Sequence, residues 1–328
     1  TAIGYYAGEG VTTGTGHVFV GRWAGGAVTT ATNNTYVGYE AGNYTTTGSN
    51  NSSFGYHALK ANTTGATNVA FGYDSLKTNT TGQRNTALGS YTLQAATTAS
   101  DNTAVGEQAG YATTTGDENT FVGIYAGTDN TTGSHNTSLG KNALKDNTTA
   151  DNNTAAGMDA LKSNTTGSDN TAFGAYAGDS ITTGSNLTCI GYDADASAAD
   201  ATNEITLGNS NISALRCQVT SISSLSDKRD KTDINTLDLG LDFINALKPV
   251  KFKWASREGI AKDGTYEAGF IAQDFKQVQE DNDADYLKLV LESNPDKLEA
   301  SPGKLIPILV KAIQDLSTKI SILEQKCI

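Results

Sequence analysis

The chain has 328 residues, and its net charge of −12, from 23 basic and 35 acidic side chains, argues against a surface that binds nucleic acid. No run of about 18 apolar residues is present, so the sequence predicts no membrane-spanning helix. It begins at Thr1 without a signal-peptide pattern. The three cysteines are too few and too scattered for a disulfide framework or a zinc site, so we expect a reducing folding compartment, no metal and no cofactor: Cys189, Cys217 and Cys327.

The composition divides the chain near residue 208. All 4 prolines lie beyond this point, whereas 30 of the 35 glycines lie at or before it. Residues 1–208 hold 7 basic and 17 acidic side chains, and the remainder is nearly balanced. We therefore predict three segments: a repeat rod over 1–208, a connecting strand over 209–225, and a C-terminal domain over 226–328.

The first segment is an internal 17-residue repeat. Asparagine commonly stands four residues before the recurring glycine, an apolar residue directly before it, and alanine three residues after it. Such a unit is too short for a helix pair and contains one strand-like run, so it predicts a mainly-β fold, a β-solenoid with one coil per repeat. The glycine recurs thirteen times without a slip: Gly4, Gly21, Gly38, Gly55, Gly72, Gly89, Gly106, Gly123, Gly140, Gly157, Gly174, Gly191 and Gly208.

The repeat also predicts the geometry of a coil. Strands about 4.8 Å apart would give a rod about 58 Å long. The glycines would permit a positive φ angle at the corners or a close approach of neighbouring backbones. Stacked asparagines would cap the corners through hydrogen bonds to the backbone. Alanine and the larger apolar residue before the glycine would form a thin core. Because so thin a core rarely stabilises one chain, we expect several chains to share it.

The positions directly after the glycine vary and are rich in aromatic residues. Such a row could form a receptor-binding or glycan-binding face, or the rings could fill the interface between chains, and the sequence leaves both open. The repeats resemble the head repeats of trimeric bacterial adhesins in their φ-G-x-x-A pattern, although those units are shorter, and this resemblance implies a trimeric rod. The candidate receptor-facing residues are Tyr39, Tyr56, Tyr73, Tyr125 and Tyr192.

Four motifs follow in the C-terminal segment. S-D-K-R-D-K-T-D-I spans 226–234, a predicted strand K-P-V-K-F-K-W spans 248–254, and G-F-I-A-Q-D spans 269–274. A helix is predicted from about 305 to 326, so we expect a small α+β domain that ends in a short coiled-coil helix. Its heptad pattern alone favours a dimer, but so short a coil takes its oligomeric state from its domain. The apolar heptad positions are Ile306, Leu309, Ile313, Leu316, Ile320 and Leu323.

These motifs, in this order over 226–328, resemble the endosialidase-type intramolecular chaperone auto-processing family, whose members cap phage tailspikes and tail fibres. The resemblance implies a domain that trimerises a fibrous stalk and then cuts itself off by a single-turnover serine peptidase reaction. By position, Ser226 would be the nucleophile, Lys231 its general base, and Leu225–Ser226 the scissile bond. Asp227 and Arg229 match the motif and would have orienting or salt-bridge roles.

The residues themselves constrain this chemistry. All three histidines lie before residue 208, so a Ser-His-Asp triad within the C-terminal domain is excluded. A serine nucleophile would then need a lysine whose pKa is lowered by burial, which an assembled trimer could supply. Without the resemblance, Ser226 in a turn or helix cap beside a solvated Lys231 is the simpler interpretation.

Our hypothesis from the sequence is the distal piece of a phage tail fibre or tailspike, assembled in the host cytoplasm and carried on the virion. A homotrimeric rod would bind a host receptor and attach to upstream tail proteins. The alternatives are a structural spacer with receptor binding upstream, a glycan hydrolase upstream, and a bacterial trimeric surface adhesin. Residues 1–208 contain no convincing carboxylate pair for glycoside hydrolysis.

Overall fold

The computed structural model describes residues 1–218, 226–254, 264, 266–292, 294 and 298–326. The chain folds as two units, Thr1–Asn209 and Ser210–Ile328. Within the described ranges, no helix has the length and apolar character needed to cross a bilayer. Of the predicted connecting strand, 209–218 have no regular secondary structure and 219–225 lie outside the described residues.

The first unit is a β-solenoid with one short strand per coil, as the repeat predicts. Thirteen strands form one parallel sheet in chain order, and each strand pairs with its equivalent in the next coil, as Ala87 does with Ala104. The strands are β1 (Ala2–Ile3), β2 (Val18–Val20), β3 (Thr35–Val37), β4 (Ser52–Phe54), β5 (Val69–Phe71), β6 (Thr86–Leu88), β7 (Thr103–Val105), β8 (Thr120–Val122), β9 (Thr137–Leu139), β10 (Thr154–Ala156), β11 (Thr171–Phe173), β12 (Thr188–Ile190) and β13 (Ile205–Leu207).

The recurring glycine is required at the end of each strand for two reasons, both predicted. The φ angle of Gly72 is +138°, and the equivalent glycines also have positive φ. A residue with a Cβ would be strained in this backbone conformation. A Cβ on Gly72 would also lie 2.4 Å from the carbonyl oxygen of Gly89 in the next coil. Neither the backbone conformation nor the stacking distance therefore tolerates a side chain.

The middle residue of the strand, and not the residue before the glycine, fills the core. Ala172 is fully buried, whereas the adjacent Phe173 is 64% exposed. Side chains alternate between the two faces of a strand, so only one of two neighbouring residues can point inward. The prediction that the apolar residue before the glycine belongs to the core is wrong for this reason.

Side-chain volume inside each coil is balanced between two positions, the middle of the strand and the corner that follows it. Where the middle residue is Tyr36, the corner position is Gly42, and a Cβ there would lie 2.3 Å from the tyrosine ring. Where the middle residue is Ala70, the corner position carries the fully buried Leu76. One chain thus fills the interior of its own coils, so the thin core expected to need sharing is complete within a single rod.

Buried asparagines link consecutive coils through the middle of the rod, from Asn34 to Asn170. The side-chain amide of Asn102 donates to the carbonyl oxygen of Gly116 at 2.9 Å, and its Oδ1 accepts from the backbone N–H of Asn119 at 2.9 Å. A second buried row runs along another corner, where the amide of Asn79 donates to Oδ1 of Asn62 at 3.0 Å. The predicted capping of coil corners by stacked asparagines is confirmed.

The second unit is a small α+β region that ends in a helix, as predicted. Its core contains Phe243, Phe275, Val278, Leu305 and Ile308. The predicted strand within 248–254 and the helix from about 305 to 326 are both present. The elements are α1 (Leu241–Ala246), β14 (Val250–Phe252) antiparallel to β15 (Glu267–Gly269), α2 (Ala272–Asp281), β16 (Val290–Leu291) antiparallel to β17 (Glu299–Ala300), and α3 (Ile306–Lys326).

The asparagine row predicts the outcome of an isosteric substitution. An aspartate in place of Asn102 cannot donate to the carbonyl of Gly116 and places a carboxylate in a fully buried site. Because a buried unpaired polar group costs about 1–3 kcal/mol, we expect Asn102→Asp to lower the free energy of unfolding of the rod by at least that amount. Denaturant unfolding followed by circular dichroism measures the loss.

Asn33→Asp is the matched control. Asn33 is exposed, and its side-chain amide makes a long hydrogen bond of 3.4 Å to Asn50. Its φ is positive, a conformation that aspartate also adopts. We expect a change within about 0.5 kcal/mol. Equal losses in the two variants would contradict the structural role of the buried row.

Candidate active site

Ser226 and Lys231 are in direct contact. A 3₁₀ turn, Lys228–Asp230, lies between them, and the Nζ of Lys231 donates to the Oγ of Ser226 at 2.6 Å. Both side chains are exposed. A lysine in this position can take the hydroxyl proton only in its neutral form, which burial favours. The single chain thus brings serine and lysine into hydrogen-bonding contact, but it does not bury the two side chains. Leu225, on the other side of the predicted scissile bond, lies outside the described residues.

Asp227 and Arg229 pair with each other and hold this turn. The carboxylate of Asp227 accepts from the backbone N–H of Arg229 at 2.9 Å and from its guanidinium at 2.6 Å. The hydrogen bonds from the Arg229 side chain, and then from its backbone, lower the pKa of the Asp227 carboxyl below its ordinary value. Asp227, and not Ser226, therefore caps the turn.

The final helix α3 has two different apolar faces. Ile308 and Ala312 are buried, and Asp315 accepts from the backbone N–H of Leu241 in α1 at 3.3 Å. The heptad residues lie on another face and are between 42% and 65% exposed: Ile306, Leu309, Ile313, Leu316, Ile320 and Leu323. The unit thus uses one face of α3 for its own core and leaves the heptad seam uncovered. Cys327 lies outside the described residues.

Three of the five predicted tyrosines form a stacked row. The rings of Tyr39 and Tyr56 lie 5.2 Å apart and those of Tyr56 and Tyr73 lie 5.1 Å apart, with interplanar angles of 10° and 6°. Each ring face in the middle of the row is covered by a neighbour, so the edges and hydroxyls provide the exposed surface. Tyr125 is half-buried and Tyr192 is exposed in later coils.

Beside this row lies a charged cluster that sequence reasoning missed. Lys60 pairs with Glu40 at 2.6 Å, while His57 lies 3.4 Å from Glu40 and 3.2 Å from Asp74. Burial, together with the Lys60 ammonium, lowers the pKa of His57, although the two carboxylates act in the opposite direction. The spacing of Glu40, His57 and Asp74 by one repeat each was the available signal. Across the described residues, no three His, Cys, Asp or Glu side chains are arranged to hold a metal ion.

Comparison with known proteins finds one family match, which covers part of the C-terminal segment. Residues 226–283 match the family described as "Chaperone of endosialidase", and the match begins at Ser226. No curated protein and no solved structure matches the chain. The family consists of autoproteolytic intramolecular chaperones, which supports self-cleavage in general and implies trimer assembly in general. A β-solenoid followed by this segment fits a tail fibre with a C-terminal chaperone domain.

Proposed function

We propose that this chain is the distal part of a phage tail fibre or tailspike, and that residues 226–328 trimerise and fold the rod and then release it by cutting the Leu225–Ser226 bond. The observation that carries this proposal is the 2.6 Å contact between Lys231 Nζ and Ser226 Oγ at the start of the family match. The rod over 1–208 and the link over 209–225 would remain with the virion.

The position of Ser226 directly after the scissile bond defines the chemistry. Its Oγ attacks the carbonyl carbon of Leu225 while Lys231 takes the hydroxyl proton. The C–N bond breaks, the Ser226 nitrogen receives a proton, and the Leu225 acyl group is left as an ester on Oγ. Water then hydrolyses this ester, which gives a Leu225 carboxylate and a free Ser226 amine.

Exposure of the pair makes assembly the trigger for this reaction. Ser226 and Lys231 are both open to solvent in the single chain, and only the neutral amine of a lysine can accept a proton. A neighbouring chain that covers the pair would favour the neutral amine. Cleavage would therefore follow trimerisation and not precede it.

The rod needs such a helper because its coils are nearly interchangeable. Every strand pairs with its equivalent in the next coil, so three rods displaced by one whole coil would make almost the same contacts. The uncovered heptad seam of α3 supplies a contact that can align the three C-termini first. Removal of the helper afterwards would leave the rod kinetically trapped in register.

The rod would also present the host-binding surface. The support is the row formed by Tyr39, Tyr56 and Tyr73 and the exposure of Tyr192, since aromatic side chains contribute strongly to recognition. A rod that serves only as a spacer is the second candidate, because the stacked rings offer their edges and hydroxyls and not their faces.

The cleavage proposal predicts the masses of variants. Wild-type chain should yield one fragment ending at Leu225 and one beginning at Ser226, whereas Ser226→Ala and Lys231→Ala should stay whole. Lys231→Arg should also stay whole, because a guanidinium does not act as a base near neutral pH. Intact mass spectrometry after expression measures all four chains.

Lys228→Ala is the control within the same turn, since Lys228 is exposed and contributes its backbone to the turn. It should be cut as wild type is. Wild type that remains whole as a stable trimer, or Lys231→Ala that is cut normally, would refute the serine-lysine mechanism.

The trimerisation proposal predicts the effect of charges on the α3 seam. Ile313→Glu with Leu316→Glu places carboxylates at two exposed heptad positions, so copies should separate by like-charge repulsion and loss of apolar contact. Gln314→Glu, exposed on the same helix but off the seam, should leave assembly unchanged. Native mass spectrometry in a Ser226→Ala background measures the trimer, and cleavage in the Ser226 background should fall with it. Trimer that survives the seam charges contradicts the role of α3.

The receptor proposal predicts loss of binding without loss of the rod. Tyr56→Ser with Tyr73→Ser should abolish binding of labelled rods to a panel of immobilised bacterial envelopes, while Tyr44→Ser, exposed but outside the row, should retain it. The thermal unfolding of each variant shows whether the rod is intact. Binding that is unchanged in the double variant, or absent for wild type on every envelope, favours the spacer.

A further inference from the structure

The outer face of the solenoid sheet carries a continuous apolar stripe. The residue before each recurring glycine points away from the core in all thirteen coils, and none of these residues is buried. We call these thirteen residues the sheet stripe. Its exposed members are between 38% and 64% exposed: Ile3, Phe71, Leu88, Leu139, Phe173, Ile190 and Leu207. Neighbours along the stripe pack on one another, as the rings of Phe54 and Phe71 do at 4.7 Å.

This face is also without charge over its whole length. Residues 1–208 contain 24 charged side chains, yet none stands in the sheet stripe or at the residue two positions before it. The latter positions are threonine, serine, valine or isoleucine throughout. Charges occur instead at the corners, as in the cluster of Glu40, Lys60 and Asp74. An apolar surface of this extent marks a place of contact.

We propose that the sheet stripe is the surface by which copies of this chain contact one another, parallel and in register. This inference rests on the homotrimer proposed above and assigns its contact face along the rod. The occupant must present apolar groups with the axial period of the strands, about 4.8 Å, over twelve intervals. A second copy of the same rod has that period by construction.

The C-terminal unit supplies an independent reason for a second copy. The uncovered seam of α3 has the heptad pattern by which like helices associate. If copies associate through α3, their chains are aligned at the same residue. Equivalent coils are then separated from this point by the same number of residues in every copy. The sheet stripe has no charges to select a register by itself, which makes alignment at the C-termini necessary.

Cross-linking tests this face directly. The background carries Ser226→Ala, Cys217→Ser and Cys327→Ser, so that the chain stays whole and only one added accessible thiol reacts, because Cys189 is buried. Leu139→Cys lies in the sheet stripe, and Lys145→Cys lies on the charged surface of the same coil. A short bismaleimide should join most chains of the first variant and only a trace of the second, as read on a denaturing gel.

Charge insertion gives a second measurement that does not depend on cross-linking geometry. Leu139→Asp with Phe173→Asp should lower the thermal unfolding temperature of the rod in the assembled protein. Thr132→Asp with Thr166→Asp, at exposed positions away from the sheet stripe in the same two repeats, should not. Native mass spectrometry of the same samples separates the two proposals. A trimer that shows neither the cross-link nor the loss of stability overturns the contact face and leaves the trimer standing. A chain that stays monomeric overturns both.

Discussion

The middle of the rod depends on one interaction, the row of buried asparagine side chains that joins consecutive coils from Asn34 to Asn170. At each corner the backbone presents a carbonyl oxygen and an N–H that water cannot reach, and Asn102 satisfies one of each with a single side chain. Among side chains of that length, only the neutral amide offers a donor and an acceptor on separate atoms. A slip of one residue would bring Asp101 or Thr103 to this corner in its place. The strand register, in which each residue pairs with the one 17 positions on, keeps this row continuous from Asn34 to Asn170.

The same regularity that stabilises the rod means that neighbouring chains displaced by one whole coil would make nearly the same contacts. Variation in the core offers some protection, because Tyr36 demands Gly42 and Ala70 accepts Leu76, but these pairings lie within one chain. Contacts between chains would involve the sheet stripe, which carries no charge. In the proposed trimer, selection of the register would fall to the C-terminal unit, where α3 leaves an apolar seam outside its own core.

The proposed processing site is formed by a short stretch of sequence and is exposed to solvent in the single chain. One short turn of sequence brings Ser226 and Lys231 together, and the clasp between Asp227 and Arg229 holds that turn. What a short turn cannot supply is exclusion of water, which a lysine base requires. A site that is formed early but activated only by a neighbouring surface would couple chemistry to correct assembly.

Local spacing determined much of this protein from the sequence alone: the repeating coil, the roles of glycine and buried asparagine, the strand β14 and the helix α3 with its heptad seam. Each of these depends on residues within one turn or one coil. The tertiary structure alone decided which of two neighbouring apolar positions enters the core, which tyrosines stack, how His57 meets its carboxylates, and which face of α3 the domain uses. The strand Thr171–Phe173 shows why: alternation permits either Ala172 or Phe173 to face inward, and only closure of the coil, with Gly174 at a φ of +138°, selects the alanine.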